Sequence, residues 1–179
     1  MDERTVQTDV ESAFGRVSLL WRETAQGPQV QRVVLPNEQR ALAGRFPEAQ
    51  GSAIAALAEQ VQRFLAGADV TFDLSLIALE ACSAFQRRVL LAESAVPRGW
   101  VTTYGRIAAH LKMPGAARAV GGALAHNPFP LIIPCHRAVR SGGGLGGFRG
   151  GLEMKRALLR LEGLEVGADG CVRTEHWAY

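Results

Sequence analysis

The sequence predicts a two-part protein: an N-terminal α/β domain of a small sheet with one helix, then a mainly helical domain carrying a helix-turn-helix and a cysteine-bearing loop. Three observations lead there. Apolar residues alternate at period two in the first half, they switch to helical spacing in the second, and the charge changes sign between them. Residues 1–80 hold seven Arg against eleven Asp and Glu, net −4; residues 81–165 hold twelve Arg and Lys against four Glu, net +8; residues 166–179 carry −1. These three stretches are the expected scaffold domain, functional domain and C-terminal tail. The formal charge of +3 averages over them.

The elements follow in order. Val17 with Leu19, Val33 with Leu35, and Val70 with Phe72 and Leu74 alternate as half-buried strands do. Between them Ile54, Leu57, Val61, Phe64 and Leu65 recur at helical spacing, with Ser52 placed to cap the helix and Gly67 to end it. In the second half Ser83-Ala84-Phe85-Gln86 fits a capping box before Val89 and Leu90, and Pro97-Arg98-Gly99 closes that helix as a turn. Thr103 can cap a short helix bearing Tyr104, Ile107, Ala108 and Leu111. Met113-Pro114-Gly115 breaks it, and a further helix from about Ala116 to Ala125 ends at Asn127-Pro128, which gives the helix-turn-helix. Leu131-Ile132-Ile133 reads as a strand, followed by Pro134-Cys135-His136-Arg137, a glycine-rich loop and a last helix from about Leu152 to Leu161.

With 179 residues, 47% hydrophobic and 21% charged, the chain can bury a sizeable core and is not a disordered segment. No apolar run reaches the roughly 18 residues of a membrane span, and Met1-Asp2-Glu3 does not open a signal peptide, so a cytoplasmic protein away from membranes is expected. Cys82, Cys135 and Cys171 are odd in number and widely spaced, without Cys-x-x-Cys or His-x-x-x-His, so neither a disulfide framework nor a metal site is expected. Gly142 to Gly147 satisfies GxGxxG, but any glycine tract does, and too little chain follows for a dinucleotide fold. No cofactor is expected.

Net +8 suits a module that meets phosphates, or a merely solvated basic face. The helix Ala117-Arg118-Ala119-Val120-Gly121-Gly122 has one long side chain among small ones. A major-groove reader needs several polar side chains, whereas small residues let a backbone approach the minor groove with Arg118 as a wedge; tight helix packing is the other reading. Cys135 is a nucleophile only if something takes its proton, because an ordinary thiol is mostly protonated at neutral pH. On an extended strand the neighbouring His136 would face away and act through a water, while Arg137 supplies positive field. An inert buried cysteine beside a surface histidine is the other reading.

Taken together, Pro134-Cys135-His136-Arg137-Ala138-Val139, Thr103-Tyr104-Gly105-x-Ile107-Ala108 and Arg118-Ala119-Val120-Gly121-Gly122-Ala123 with Asn127-Pro128 resemble the O6-alkylguanine-DNA alkyltransferase family over residues 82 to 165. The resemblance implies direct reversal of DNA damage: an O6-alkylguanine is flipped out of the duplex and its alkyl group moves irreversibly to Cys135, once per molecule. It implies Cys135, His136, Glu162, Tyr104 and Asn127 as the catalytic set. Arg118, Thr103, Tyr104, Ala117, Ala119, Gly121 and Gly122 would meet double-stranded DNA through its minor groove. Pro130, Val139, Phe148, Arg149 and Gly150 would form the pocket for the alkylated guanine, with Arg149 standing where many relatives carry a small residue. The expected species is a monomer. Two other classes fit parts of the pattern: an alkyltransferase-like protein that binds the base without reacting, which would lack the cysteine, and a helix-turn-helix transcription factor.

Overall fold

A computed structural model describes residues 4–41 and 44–179; the acidic start lies outside them. The chain divides into two compact units, one of residues 1–81 with 128–132, the other of residues 82–127 with 133–179.

In the first unit, β1 (Val6–Val10), β2 (Val17–Thr24) and β3 (Gly27–Val34) form an antiparallel sheet in that order. Ala25-Gln26 is the hairpin turn, and Gly27, at φ +104°, takes the left-handed conformation that closes it. Helix α1 (Ser52–Leu65) packs on β1 and β3 and buries Ile54, Leu57, Val61, Phe64 and Leu65, the five positions of the predicted apolar face. Its cap differs from expectation. Gly51 is the N-cap and makes no side-chain bond, while Ser52 already belongs to the helix.

Two predicted strands are absent. Val70, Phe72 and Leu74 alternate in burial with exposed neighbours, but they pair with no strand and run into a 3-10 turn at Leu74–Leu76. Leu131 and Ile132 lie in a turn, with Leu131 at φ +76°. Their apolar character reflects burial, and the backbone is not extended. This stretch, Pro128 to Ile132, belongs to the first unit, where β3 reaches it through Val33 N donating to Pro128 O at 2.8 Å.

The second unit is built from α2 (Ala84–Ser94), α3 (Tyr104–His110), α4 (Ala117–Ala125) and α5 (Leu152–Leu161). Ser83 accepts from Gln86 N as a capping box requires, but the Gln86 side chain turns away and donates to Ala123 O and His126 O, tying α2 to the end of α4. Thr103 caps α3 by accepting from Arg106 N. A two-residue parallel pair, β4 (Thr102–Thr103) with β5 (Ala138–Val139), fixes the start of α3 beside the segment that follows Cys135. The tail is part of this unit: β6 (Glu165–Val166) pairs with β7 (Val172–Arg173), and Val166, Val172 and Trp177 join Val101, Val139, Leu145, Leu159 and Leu164 in one apolar cluster. Among the described residues no helix is long and apolar enough to cross a membrane.

Candidate active site

Cys135 opens a 3-10 turn, Cys135–Arg137, that packs against α2 and α5. The turn corrects the extended geometry expected from sequence. With three residues per turn, adjacent side chains diverge by about a third of a revolution, so His136 does not face directly away from the sulfur. Cys135 is buried, and burial pushes its thiol up to about 11, opposed by a hydrogen bond with the Asn127 side chain and by the charges of Lys155 and Arg149. The resting sulfur is therefore a thiol.

His136 is fully buried with Nε2 2.8 Å from Glu162 Oε1. Arg137 meets the same carboxylate in two-pronged fashion, Nε to Oε2 at 2.9 Å and Nη2 to Oε1 at 2.8 Å, and its Nη1 donates to Val96 O. Gly99 N adds a fourth donor at 3.3 Å. Burial would raise the Glu162 carboxyl, but the bonds from His136 and Arg137 overcome it and hold the group down at about 2. An ionised acceptor requires His136 Nε2 to carry the hydrogen, which leaves Nδ1 as the basic nitrogen. Burial also keeps the imidazole below its ordinary value, so it is neutral and able to take a proton. Arg137 is thus engaged by Glu162; the free positive field that the sequence suggested near the sulfur is absent in that form.

Asn127, at the end of α4, donates from Nδ2 to Ile133 O at 3.1 Å and so fixes the backbone two residues before Cys135. A cavity of about 570 Å³ opens over the sulfur, lined by Tyr104, Ala117, Arg118, Gly121, Leu124, Ala125, Cys135, Arg140 and Gly146 through Arg149. Burial raises the Tyr104 hydroxyl and keeps it protonated. Gly146, at φ +65°, lies so close that a Cβ there would stand 2.7 Å from Tyr104 Oη. Phe148 meets the His136 ring edge-on at 6.3 Å, and Arg149 is held by a 3.0 Å bond to Asn127 O, so it lines the cavity without filling it.

The cavity thus gathers Cys135, Tyr104, Arg118, Ala117, Gly121, Phe148 and Arg149 from the residues singled out in the sequence. On α4, Arg118, Ala119 and Gly122 are exposed while Val120 and Leu124 are buried, so the small residues do form an open face. Thr103 acts as a cap, and Val139 lies in the apolar cluster. Pro130 and Gly150 are not among the lining residues, and Pro130 is part of the first unit. Sequence reasoning missed four groups: Arg137 as the second partner of Glu162, Arg140 on the cavity wall, and Glu93 and Lys155, both fully buried. A signal existed for Glu93, which falls on the same helical face as Val89 and Leu90.

A buried cysteine under an open cavity, a histidine–carboxylate pair in the same turn region and a helix-turn-helix bearing one arginine on a small-residue face are the features that the resemblance to the O6-alkylguanine-DNA alkyltransferase family implies. The comparisons agree. Residues 84–164 match the family model described as 6-O-methylguanine DNA methyltransferase, DNA binding domain. The chain is 46% identical over 114 residues to the methylated-DNA–protein-cysteine methyltransferase of Methanothermobacter thermautotrophicus, spanning 64% of each. It is 41% identical over 124 residues to the protein of that name from Mycobacterium leprae, spanning 69% of this chain and 72% of the relative. A crystal structure of Mycobacterium tuberculosis OGT in complex with DNA is similar at TM-score 0.70 and 35% identity, covering 86% of this chain and 90% of that one. The chain belongs to the methylated-DNA–protein-cysteine methyltransferase family.

Proposed function

We propose that the protein repairs O6-alkylguanine in double-stranded DNA by moving the alkyl group to its own Cys135, one event per molecule. The observation that carries this reading is Cys135 lining a cavity large enough for a base, with its neighbour His136, neutral, bonded to ionised Glu162 at 2.8 Å. In the step, the sulfur bonds to the alkyl carbon as the carbon–O6 bond breaks, and the electron pair leaves on guanine O6. The thiol proton passes to His136 Nδ1, through a water, and the resulting imidazolium is stabilised by Glu162. Tyr104, protonated and on the cavity wall, donates to the departing base, which lowers the cost of its negative charge.

A base inside a stacked duplex is out of reach of a buried thiol, so it must be extruded. The small-residue face of α4 suits a close approach to the minor groove, and Arg118, exposed on that face and lining the cavity, would fill the vacated space in the stack. All of these groups come from the second unit of one chain, so a monomer suffices. The thioether product resists water, and among the described residues no second thiol lines the cavity to take the alkyl group on, which makes the reaction stoichiometric.

The test is incubation with an oligonucleotide duplex containing O6-methylguanine and mass analysis of the protein. One methylene is expected on Cys135 and on no other residue, with none on Cys135→Ala while that variant still binds the duplex. Transfer by the alanine variant overturns the proposal. For Arg118→Ala, loss is expected on duplex DNA and much less on the free base; equal losses would refute a role in flipping.

A further inference from the structure

Glu93 is the most anomalous residue of the second unit. It lies on α2 with no exposed surface, and neither carboxylate oxygen forms a well-aligned hydrogen bond among the described residues. The Ala138 backbone lies near enough to ease its ionisation without closing such a bond. An uncompensated buried carboxylate would cost several kcal/mol, so a residue of this kind persists only if it is neutral or in use. The turn that carries Cys135 packs on one side against α2 and on the other against α5, which contributes a second fully buried charged residue, Lys155. Lys155 Nζ donates to Ala138 O at 2.6 Å and to Gly147 O at 3.2 Å, and its charge is felt at both Cys135 and Glu93.

We propose that Glu93 is a positioning residue that sets the nucleophilicity of Cys135 by its own protonation state. Neutral, it leaves the Lys155 ammonium to stabilise the thiolate unopposed; ionised, it offsets that ammonium and disfavours the thiolate. The inference rests on Cys135 being the nucleophile assigned above. Burial pushes the Glu93 carboxyl up to about 8 and brings the Lys155 ammonium down to about 8. At neutral pH the pair is therefore mostly a carboxylic acid and an ammonium, net positive beside the sulfur. Above about pH 8 it loses that charge, and each loss works against the thiolate. The device is an alkaline brake on a thiol that ordinary titration would make steadily more reactive.

Other charged groups around Glu93 are accounted for. Arg137 and Glu162 face it from the turn and from the end of α5, and they neutralise each other in their own ion pair. Tyr104 on α3 and Tyr179 near the C terminus both feel the Glu93 charge and are themselves raised, so they stay neutral through the range concerned. Arg106 and His110 on α3 engage Trp177 and Tyr179, and α4, which also packs on α2, turns its one charged residue, Arg118, to the cavity.

The test uses the full chain and a small electrophile, iodoacetamide, so that it does not depend on repair. The rate of Cys135 carbamidomethylation, assigned by peptide mass, is followed from about pH 6 to about pH 10 for the native protein and Glu93→Gln. The native rate is expected to bend and flatten near pH 8, whereas the Gln variant, in which only the Lys155 ammonium still titrates there, bends less and exceeds the native rate about tenfold at pH 9, the effect of roughly one unit of thiol pKa. Coincident profiles overturn the proposal. If the Gln variant does not fold, the native profile decides: a rate that rises without a bend through pH 8 overturns it equally. A parallel assay with the O6-methylguanine duplex separates the two ideas, because absence of transfer in the native protein refutes the repair reading while the iodoacetamide profile still reports on Glu93.

Discussion

Glu162 gathers donors from His136, Arg137 and the Gly99 backbone on one buried carboxylate, and its titration should be visible in the stability of the protein. A carboxyl held near 2 when folded and near its ordinary 4.5 when unfolded stabilises the fold above about pH 4.5, and this contribution disappears as pH falls toward 2. The size is about 3 kcal/mol, read as the decline in unfolding free energy between pH 5 and pH 2 by urea titration. Glu162→Gln should remove most of that decline. It should also slow alkyl transfer roughly a hundredfold, because His136 loses the acceptor that fixes its tautomer. Glu93 has the opposite sign. Its raised carboxyl keeps a proton that the unfolded chain gives up, so its contribution falls as pH rises from about 4.5 to about 8. Glu93→Gln should therefore melt higher than the native protein by a margin that widens between pH 5 and pH 8. Cys135, His136 and Arg118 stood out from their residue types and spacing, Tyr104 and Asn127 only through the family resemblance, and Cys135, Tyr104 and Arg118 line one cavity. Glu93 and Lys155 did not stand out, since a lone acid on an apolar helical face and a lysine in a basic helix declare themselves only when the two helices close on one turn.

At the level of elements, α3 depends on a local signal and α4 on a tertiary one. Thr103→Ala removes the side-chain acceptor for Arg106 N and should lower unfolding free energy by about 1 kcal/mol. Gly146→Ala is a sharper test. Its backbone is in the left-handed region, and the new methyl group would contact Tyr104 Oη, so the tyrosine must shift and transfer should fall with little change in DNA affinity. A rate equal to that of the native protein would show that Tyr104 tolerates displacement. The helix ends at Ser83, Thr103 and Gly67 were legible because the deciding chemistry lies within one turn, whereas the cap expected at Ser52 falls on Gly51. Strands were less legible. Val70 to Leu74 shows the period of a strand without a neighbour to pair with, and Leu131-Ile132 is apolar because it is buried in a turn. The first strand, Val6 to Val10, went unread because Gln7-Thr8-Asp9 leaves it only two apolar residues. In each case the deciding fact is a partner far away in sequence.

For the whole molecule, the division of charge predicts that binding to undamaged DNA weakens with added salt, roughly in proportion to the number of phosphates neutralised. A plot of log affinity against log salt should have a negative slope, and Arg118→Ala or Arg140→Ala should each flatten it by about one unit if that side chain pairs with a phosphate. The charge count suggested cutting the chain after residue 80 and again after residue 165. The first cut falls within one residue of a division between the two units but leaves out a returning stretch of the first, and the second cut matches no division. Residues 166–179 complete the apolar cluster around Leu159, and residues 128–132 belong with the sheet of the first unit. A fragment of residues 81–165 should give a broad, low-temperature melting transition.

The reach of β3 to Pro128 also bears on how the protein is made. Val33 must wait for a residue 95 positions later, so the first unit cannot finish when its own helix leaves the ribosome. It closes only after α2, α3 and α4 have been synthesised, and Cys135 follows within a few residues. Such a long loop closure raises the contact order and slows folding. It also couples the order of assembly: Cys135 follows within a few residues of the stretch that completes the first unit, and its turn closes only when α5 and Glu162, synthesised later still, come to pack against it.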